Sequence, residues 1–203
     1  EAGTYMAAII ATKGKGINIV IMGDGYSDRL VTDGTYDKTM NSTLESFFTE
    51  EPFKSFRAYF NVYSVTAISK NEIYSDHTST KFSATSGEGG IAGDDRQVFI
   101  YAQKAITQKE IDEALIIVIY NSTLYGGLCR MYGHYNGDYG SGTSIAYVPK
   151  SETNDIFLQI LNHEACGHGF AKLADEYDYD GIITKEFKDQ YLYEQNNWGW
   201  WKN

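Results

Sequence analysis

The sequence predicts an α/β fold in the form of a three-layer α/β/α sandwich with a mostly parallel sheet. Two observations predict it: short apolar runs rich in β-branched residues recur along the chain, and segments with helical spacing of apolar residues separate them. Strands that alternate with helices are typical of parallel sheets covered on both faces. We find no internal repeat and no long linker, so residues 1–203 are expected to form a single domain.

Four runs are predicted to be strands. The first, INIVIM (residues 17–22), is nearly all apolar and stops at a Gly-Asp-Gly triplet, as expected of a strand covered on both faces. FNVYSVTAIS (60–69) is partly alternating, ALIIVIY (114–120) is the strongest strand pattern, and SIAYVP (144–149) is the last. The GDGYSD around the end of the first run lacks the spacing of a phosphate-binding loop, so we interpret it as a tight turn.

Helices are expected between and after these strands. A helix over residues 35–49 is predicted by four apolar residues at helical spacing: Met40, Leu44, Phe47 and Phe48. A second helix is expected over residues 95–106, followed by a short turn in which Thr107 and Glu110 match a capping box. A third helix begins at residues 151–153.

Two segments lack a regular pattern. Residues 70–93 are polar and rich in Ser, Thr and Gly, and are expected to be irregular or extended. Residues 121–141 form a Gly- and Tyr-rich loop of a length usually reserved for function. His134 lies in this loop, where a lone histidine is more often solvated than a metal ligand.

The composition argues against some partners. The formal net charge of −10 disfavours nucleic acid, because binding to a phosphate backbone relies on clustered Lys and Arg. The apolar runs are too short and too interrupted for a transmembrane segment. Cys129 and Cys166 make no disulfide framework, and we expect both to be free thiols.

The chemistry of the chain is indicated by HEACGH, residues 163–168, in the third helix. In the zinc-helix pattern HExxH, histidines four residues apart differ in direction by about 40° on an α-helix and can share an ion. His163 and His168 are five apart and differ by about 140°, so a regular helix would turn them to opposite sides. One turn with i→i+5 bonding brings five residues back to within about 50°, and Gly167 suits such a distortion because it lacks a Cβ. The motif therefore predicts a metal site on a π-bulge, with a chance cluster of ordinary histidines as the alternative.

The stretch HEACGHGFAKLADEY resembles the zinc motif of the IgA-peptidase family of metallopeptidases, whose members carry HExGH or HExxGH followed by a Leu-x-Asp-Glu-Tyr tail. NIVIMGDGYSD, FNVYSVTAIS and YNSTLYGG stand in the order and roughly the spacing expected of that family. The resemblance thus covers the chain from about residue 17 onward. It implies a zinc endopeptidase with a zincin-like or metzincin-like catalytic domain.

The resemblance implies a ligand set for one catalytic Zn²⁺. His163 and His168 supply imidazole nitrogens, and the third ligand follows shortly after the helix, with Asp175 as our choice and Glu176 as the alternative. The carboxylate that is not used would orient a ligand histidine. The other interpretation of DEYDYD (residues 175–180) is an acidic surface turn or a calcium site, because calcium prefers oxygen ligands.

The remaining roles follow from the same resemblance. Glu164, directly after the first histidine, would act as general base toward a metal-bound water and pass the proton to the leaving amine. Tyr177 would either donate a hydrogen bond to the oxyanion or pack beneath the site. Tyr125, Gly126 and Gly127 lie where an edge strand would pair with an extended peptide substrate, and the glycines would let its backbone approach closely.

One departure concerns the methionine turn that metzincin-like enzymes place after the third ligand. No methionine follows Met131, and the chain ends in NNWGWWKN. We therefore expect the native polypeptide to continue and the catalytic domain to be truncated at its C-terminal end.

Three functions remain open from the sequence. Zinc-dependent hydrolysis of an extracellular protein or peptide is favoured. The alternatives are a non-catalytic relative that binds a peptide or glycan through the Tyr-rich loop, and a calcium-stabilised module. The resemblance also implies a secreted or cell-surface protein, typically bacterial.

Overall fold

The computed structural model describes residues 2–72, 78–87, 90–132, 142–173 and 175. Its strands are β1 (Tyr5–Ile9), β2 (Ile17–Asp24), β3 (Phe60–Val65), β4 (Thr85–Gly87), β5 (Gly90–Ala92), β6 (Leu115–Tyr120), β7 (Leu128–Met131) and β8 (Ser144–Pro149). Its α-helices are α1 (Asp28–Thr32), α2 (Thr35–Phe47), α3 (Phe53–Phe56), α4 (Asp95–Ala102), α5 (Gln108–Ile111) and α6 (Asn154–Leu161). A 3₁₀ turn at Arg57–Tyr59 leads into β3, and a π-helix at Asn162–Phe170 continues α6.

Six strands form one sheet in the order β1-β3-β2-β6-β8-β7. The four central strands are parallel, because β2 pairs with β3 and β6, and β6 pairs with β8. β1 and β7 are antiparallel edge strands, and β4 and β5 form a separate antiparallel hairpin. The predicted α/β class and the mainly parallel sheet are confirmed. The three-layer, zincin-like arrangement stays a prediction.

Side chains along the central strands alternate between two hydrophobic clusters. In β6, Leu115 and Ile117 join a cluster that also contains buried residues of α2 and α6. Ile116 and Val118 join a second cluster that contains buried residues of α4. Because both faces of these strands are buried, the strands read as near-continuous apolar runs in the sequence.

The predicted helices are present, with different ends. The helix expected over residues 35–49 ends at Phe47, and the helix expected over residues 95–106 ends at Ala102. The capping box predicted at Thr107 and Glu110 is present at the start of α5. Among the helices of the described residues, none combines the length and the apolar character needed to cross a membrane.

The four predicted strands are also present, and the structure adds others. β3 ends at Val65 rather than at residue 69, because the chain then leaves the sheet and the backbone N–H of Ser69 donates to the Tyr26 carbonyl oxygen. β1 was not predicted. Residues 70–93 contain the β4–β5 hairpin, and β7 lies within the long predicted loop.

The tight turn predicted after β2 contains a buried carboxylate. Asp24 Oδ1 accepts hydrogen bonds from Ser69 Oγ at 2.8 Å, from the Lys81 backbone N–H at 2.7 Å and from the Gly25 backbone N–H at 3.1 Å. Gly25 has a φ of 80°, in the left-handed region that favours glycine. Burial raises the pKa of Asp24, and its hydrogen bonds act in the opposite direction. The side chain thus ties residues 69 and 81 to the end of β2.

Candidate metal centre

The helix that carries HEACGH changes its hydrogen-bond pattern at Asn162. α6 begins after the N-cap Thr153, whose side-chain oxygen accepts from the Ile156 backbone N–H at 3.3 Å. Residues Asn162–Phe170 then form a π-helix of nine residues. The i→i+5 turn that the histidine spacing predicts is therefore present, and it extends over the whole motif rather than over one turn.

The π-helix turns the two histidines of the motif toward each other. The Nε2 atoms of His163 and His168 lie 3.1 Å apart, and the two rings are nearly perpendicular, with an interplanar angle of 89°. His168 Nδ1 lies 2.7 Å from the carbonyl oxygen of Leu173, a contact in which Nδ1–H donates. This contact holds the proton on Nδ1, so the Nε2 lone pair of His168 faces His163.

Asp175 forms a three-residue cluster with these histidines. One ligand atom of each residue lies within 4.8 Å of the others, and the Asp175 side chain is exposed whereas His168 is buried. Across the described ranges, no second group of three or more His, Cys, Asp and Glu side chains meets this condition. The other residues predicted for the site lie outside the described residues: Glu176, Tyr177 and His134. The choice of Asp175 over Glu176 as third ligand therefore stays a prediction.

The donor atoms of the cluster suit a transition metal. Zinc–nitrogen distances of about 2.0–2.1 Å in a tetrahedral site place two nitrogen ligands roughly 3.3 Å apart. The two Nε2 atoms are separated by a similar distance, 3.1 Å. Two imidazoles and a carboxylate are ligand types that zinc accepts, whereas calcium takes about six to eight oxygens. The residues present fit a zinc-like ion better than calcium.

Glu164 is buried beneath the loop that precedes β7, with 7% of its surface exposed. A Cβ on Gly127 would stand 2.5 Å from Glu164 Cγ and 2.7 Å from Ile160 Cγ2. Any larger residue at position 127 would displace the glutamate or the helix beneath it. The sequence predicts that Gly127 allows the close approach of a substrate backbone; the structure places the Glu164 side chain against it.

The loop that precedes β7 exposes Tyr125 to solvent and contacts the β4–β5 hairpin at Gly127. Tyr125 is 78% exposed. Gly126 has a φ of 109°, and a Cβ on Gly90 would stand 2.6 Å from the Gly127 carbonyl oxygen. The hairpin backbone thus packs directly on the loop that covers Glu164. The substrate-binding roles of Tyr125, Gly126 and Gly127 stay predictions.

The glycine that the packing of the π-helix requires is Gly169. A Cβ on Gly169 would stand 2.6 Å from Leu115 Cδ1 and 3.1 Å from the Glu164 carbonyl oxygen. A Cβ on Gly167 would meet its nearest neighbour, the Asn162 carbonyl oxygen, at 3.5 Å, which is an ordinary contact. The place of Gly167 beside the second histidine predicts that it suits the distorted turn, whereas contacts with the sheet require a glycine at position 169.

The turn after the π-helix contains a buried lysine, Lys172, that no sequence pattern indicates. Lys172 is 9% exposed, and burial lowers its pKa to about 8. Its ammonium donates to the Gly169 carbonyl oxygen at 2.6 Å and to Ser144 Oγ. In the sequence, an isolated lysine carries no signal that it is buried.

Both cysteines are free thiols, as predicted. Burial raises the pKa of Cys129, on β7, to about 12, and it raises the pKa of Cys166, on the π-helix, to about 12. Both side chains are therefore neutral at physiological pH, and neither is activated as a nucleophile or a metal ligand.

β7 is attached to the start of α4 by a group of polar side chains. Arg130 pairs with Asp95 at 2.7 Å between Nη1 and Oδ1. The hydroxyls of Tyr132 and Tyr147 also donate to the Asp95 carboxylate. Burial raises the pKa of Tyr147, and the negative charge of Asp95 and the hydrogen bond to it raise that pKa further. These contacts fix the edge strand that follows the loop over Glu164.

The fold is α/β, its helix carries two converging histidines and a buried glutamate, and an aspartate after the helix lies near the histidines. This arrangement is typical of a metal-dependent hydrolase. The family model described as IgA Peptidase M64 matches residues 9–197, so the chain belongs to that family, and the resemblance seen in the sequence is confirmed. Membership identifies a metallopeptidase and implies a metal cofactor and a protein substrate. A search of curated proteins found no match to the chain.

Proposed function

We propose that the protein is a zinc endopeptidase with Glu164 as general base. The observation that carries the proposal is the convergence of the two Nε2 atoms, 3.1 Å apart, on a π-helix in which the buried Glu164 directly follows the first histidine. A π-helix is a strained conformation, and such strain is retained mainly where function requires it. We also propose that residues 1–203 form a catalytic domain of the three-layer, metzincin-like type.

The proposed ligands are His163, His168 and Asp175. The Leu173 carbonyl that holds the proton on His168 Nδ1 supports this assignment, because a metal-binding imidazole usually donates its other N–H to an oxygen acceptor. The two imidazole nitrogens favour zinc over calcium. The alternative is a calcium site formed by the acidic residues in 175–180. Of these acids the structure describes Asp175, and its carboxylate lies near the two histidines.

When bound, the zinc ion would act as a Lewis acid on a scissile carbonyl and on a water nucleophile. The Glu164 carboxylate would accept a proton from the attacking water and pass it to the nitrogen of the leaving amine. The Glu164 side chain is buried against Gly127, and this packing would limit its movement and favour proton transfer along a defined path.

The proposed substrate is an extended segment of an extracellular protein. Within the part of the chain that the structure describes, β7 is an antiparallel edge strand, and an edge strand can pair with an extended peptide through backbone groups that no neighbouring strand uses. Tyr125 would contact such a peptide, and its high exposure just before β7 supports this role. We propose that the protein is secreted or attached to the cell surface of a bacterium.

The test is metal content and peptide cleavage by purified protein. We expect one zinc per chain by elemental analysis, cleavage of a broad peptide library, and loss of cleavage on treatment with a chelator. Glu164→Gln should keep the zinc and lose cleavage, whereas Glu50→Gln, at an exposed position far along the chain from the motif, should behave as the wild type. Cleavage by the zinc-loaded Glu164→Gln variant would refute the assigned base.

Two other outcomes would overturn the proposal as a whole. Protein that binds zinc and peptides but cleaves nothing in the library would support the non-catalytic relative. Protein that is stabilised by calcium and unaffected by zinc would support the calcium module.

A further inference from the structure

We infer that Lys172 is a positioning residue for the metal centre: its buried ammonium fixes the chain reversal between His168 and Asp175. The inference rests on the proposed metal site, and it goes beyond the ligands and the general base. It depends on the backbone of the turn, on the partners of the ammonium and on the place of the turn between two ligands.

The backbone of the turn ends the π-helix with a left-handed residue. Lys172 has a φ of 55°, and its N–H donates to the His168 carbonyl oxygen at 3.2 Å. The next N–H, of Leu173, donates to the Gly167 carbonyl oxygen at 3.1 Å. α-Helices commonly end in the same way, with a left-handed residue and two nested hydrogen bonds; here each bond spans one residue more, as a π-helix requires.

The left-handed position is normally occupied by glycine, because a Cβ is unfavourable there. A lysine occupies this position, and its side chain turns back into the protein instead of reaching solvent. The ammonium donates to the Gly169 carbonyl oxygen, in the last turn of the π-helix, where carbonyl groups lack partners within the helix. It also donates to Ser144 Oγ, on the fully buried first residue of β8.

Lys172 thus ties the end of the π-helix to the sheet at the point where the chain reverses. The next residue, Leu173, supplies the carbonyl oxygen that accepts from His168 Nδ1. Two residues further on, Asp175 returns to the histidines. A shift of the turn would therefore alter both the orientation of the His168 ring and the position of the carboxylate.

The test compares two substitutions of the lysine with a matched control. Lys172→Met keeps a long, flexible stem and removes the donor, whereas Lys172→Gly relaxes the backbone and removes the side chain. Lys150→Met changes an exposed lysine that directly follows β8. The readouts are the zinc dissociation constant, measured by competition with a chelating dye, and the visible absorption spectrum of the Co²⁺-loaded protein, which reports coordination geometry.

We expect both Lys172 variants to weaken zinc binding by about 10- to 100-fold, the range seen when a group that orients a metal ligand is removed. Their Co²⁺ spectra should differ from that of the wild type, whereas Lys150→Met should match the wild type in both readouts. If Lys172 had a purely structural role, its substitution would lower the melting temperature and leave the Co²⁺ spectrum unchanged.

The failure of this inference can be told from the failure of the proposed function. If the wild type binds no zinc, the metal centre itself is refuted. If the wild type binds zinc and both variants keep its affinity and spectrum, the centre stands and the role of Lys172 is refuted. Should neither variant fold, Ser144→Ala, which removes one partner of the ammonium, decides the question: an unchanged affinity and spectrum would again refute the role.

Discussion

Gly169→Ala is expected to destabilise the metal-free protein, because the added methyl group has no space. Its carbon would lie 2.6 Å from Leu115 Cδ1, whereas carbon atoms in contact are normally about 3.5–4.0 Å apart. Leu115 is the first residue of β6 and is 2% exposed, so its side chain, the strand or the helix must shift within a packed core. Overpacking of this kind costs about 1–3 kcal/mol. In a chain of this size each kcal/mol lowers the melting temperature by about 2–4 °C, which gives a decrease of roughly 2–12 °C.

Gly167→Ala is the matched control, two residues earlier in the same π-helix. Its methyl group would meet the Asn162 carbonyl oxygen at 3.5 Å, an ordinary contact, and alanine favours helix over glycine by up to about 1 kcal/mol. Both variants should be unfolded with urea in the presence of a chelator, with the slope of the transition checked for constancy. A Gly169→Ala variant at least as stable as Gly167→Ala would refute the packing argument.

Three further predictions concern the site, the turn after β2 and the edge strand. Gly127→Ala should lower the turnover number by about 10²-fold with zinc content unchanged, because the methyl group displaces Glu164; kinetics of zinc-loaded protein check this. The raised pKa of Asp24 makes the native wild type hold a proton that its unfolded state releases above pH 3.8, so the free energy of unfolding of the wild type falls as pH rises. Asp24→Asn does not titrate there and should therefore gain stability relative to the wild type. Urea titrations from pH 4 to 7 test the sign, and a constant difference would contradict it. Asp95→Asn should lower the free energy of unfolding by about 1–2 kcal/mol, a figure that allows for the solvent around Arg130. A decrease near zero would show that the pair of Arg130 and Asp95 does not hold β7.

Strand positions could be predicted because the central strands are buried on both faces. Residues 17–22 and 114–120 are almost entirely apolar, and they correspond to β2 and β6. Strand ends were less predictable: the apolar pattern of residues 60–69 continues past Val65, where the chain leaves β3 and bonds to the turn after β2 instead. β1 has an exposed edge position and little alternation, so its sequence gives no clear pattern.

The metal motif could be predicted because the direction of side chains on a helix depends only on their spacing. The separation of five positions from His163 to His168 requires a wider turn, and the structure contains one. The supporting contacts could not be predicted in the same way. Gly169 meets Leu115, and Lys172 meets Ser144, across separations that local sequence patterns do not encode. The left-handed conformation of Lys172 also contradicts the usual preference for glycine.

The length of the π-helix restricts how this motif can change by insertion and deletion. Removal of one residue between His163 and His168 would give the common HExxH spacing of four positions, yet it would also rotate everything after it. Gly169 would no longer face Leu115, and the Lys172 ammonium would no longer reach Ser144 at the start of β8. A lineage that moved between the two motif lengths would therefore have to acquire compensating substitutions well beyond the histidines.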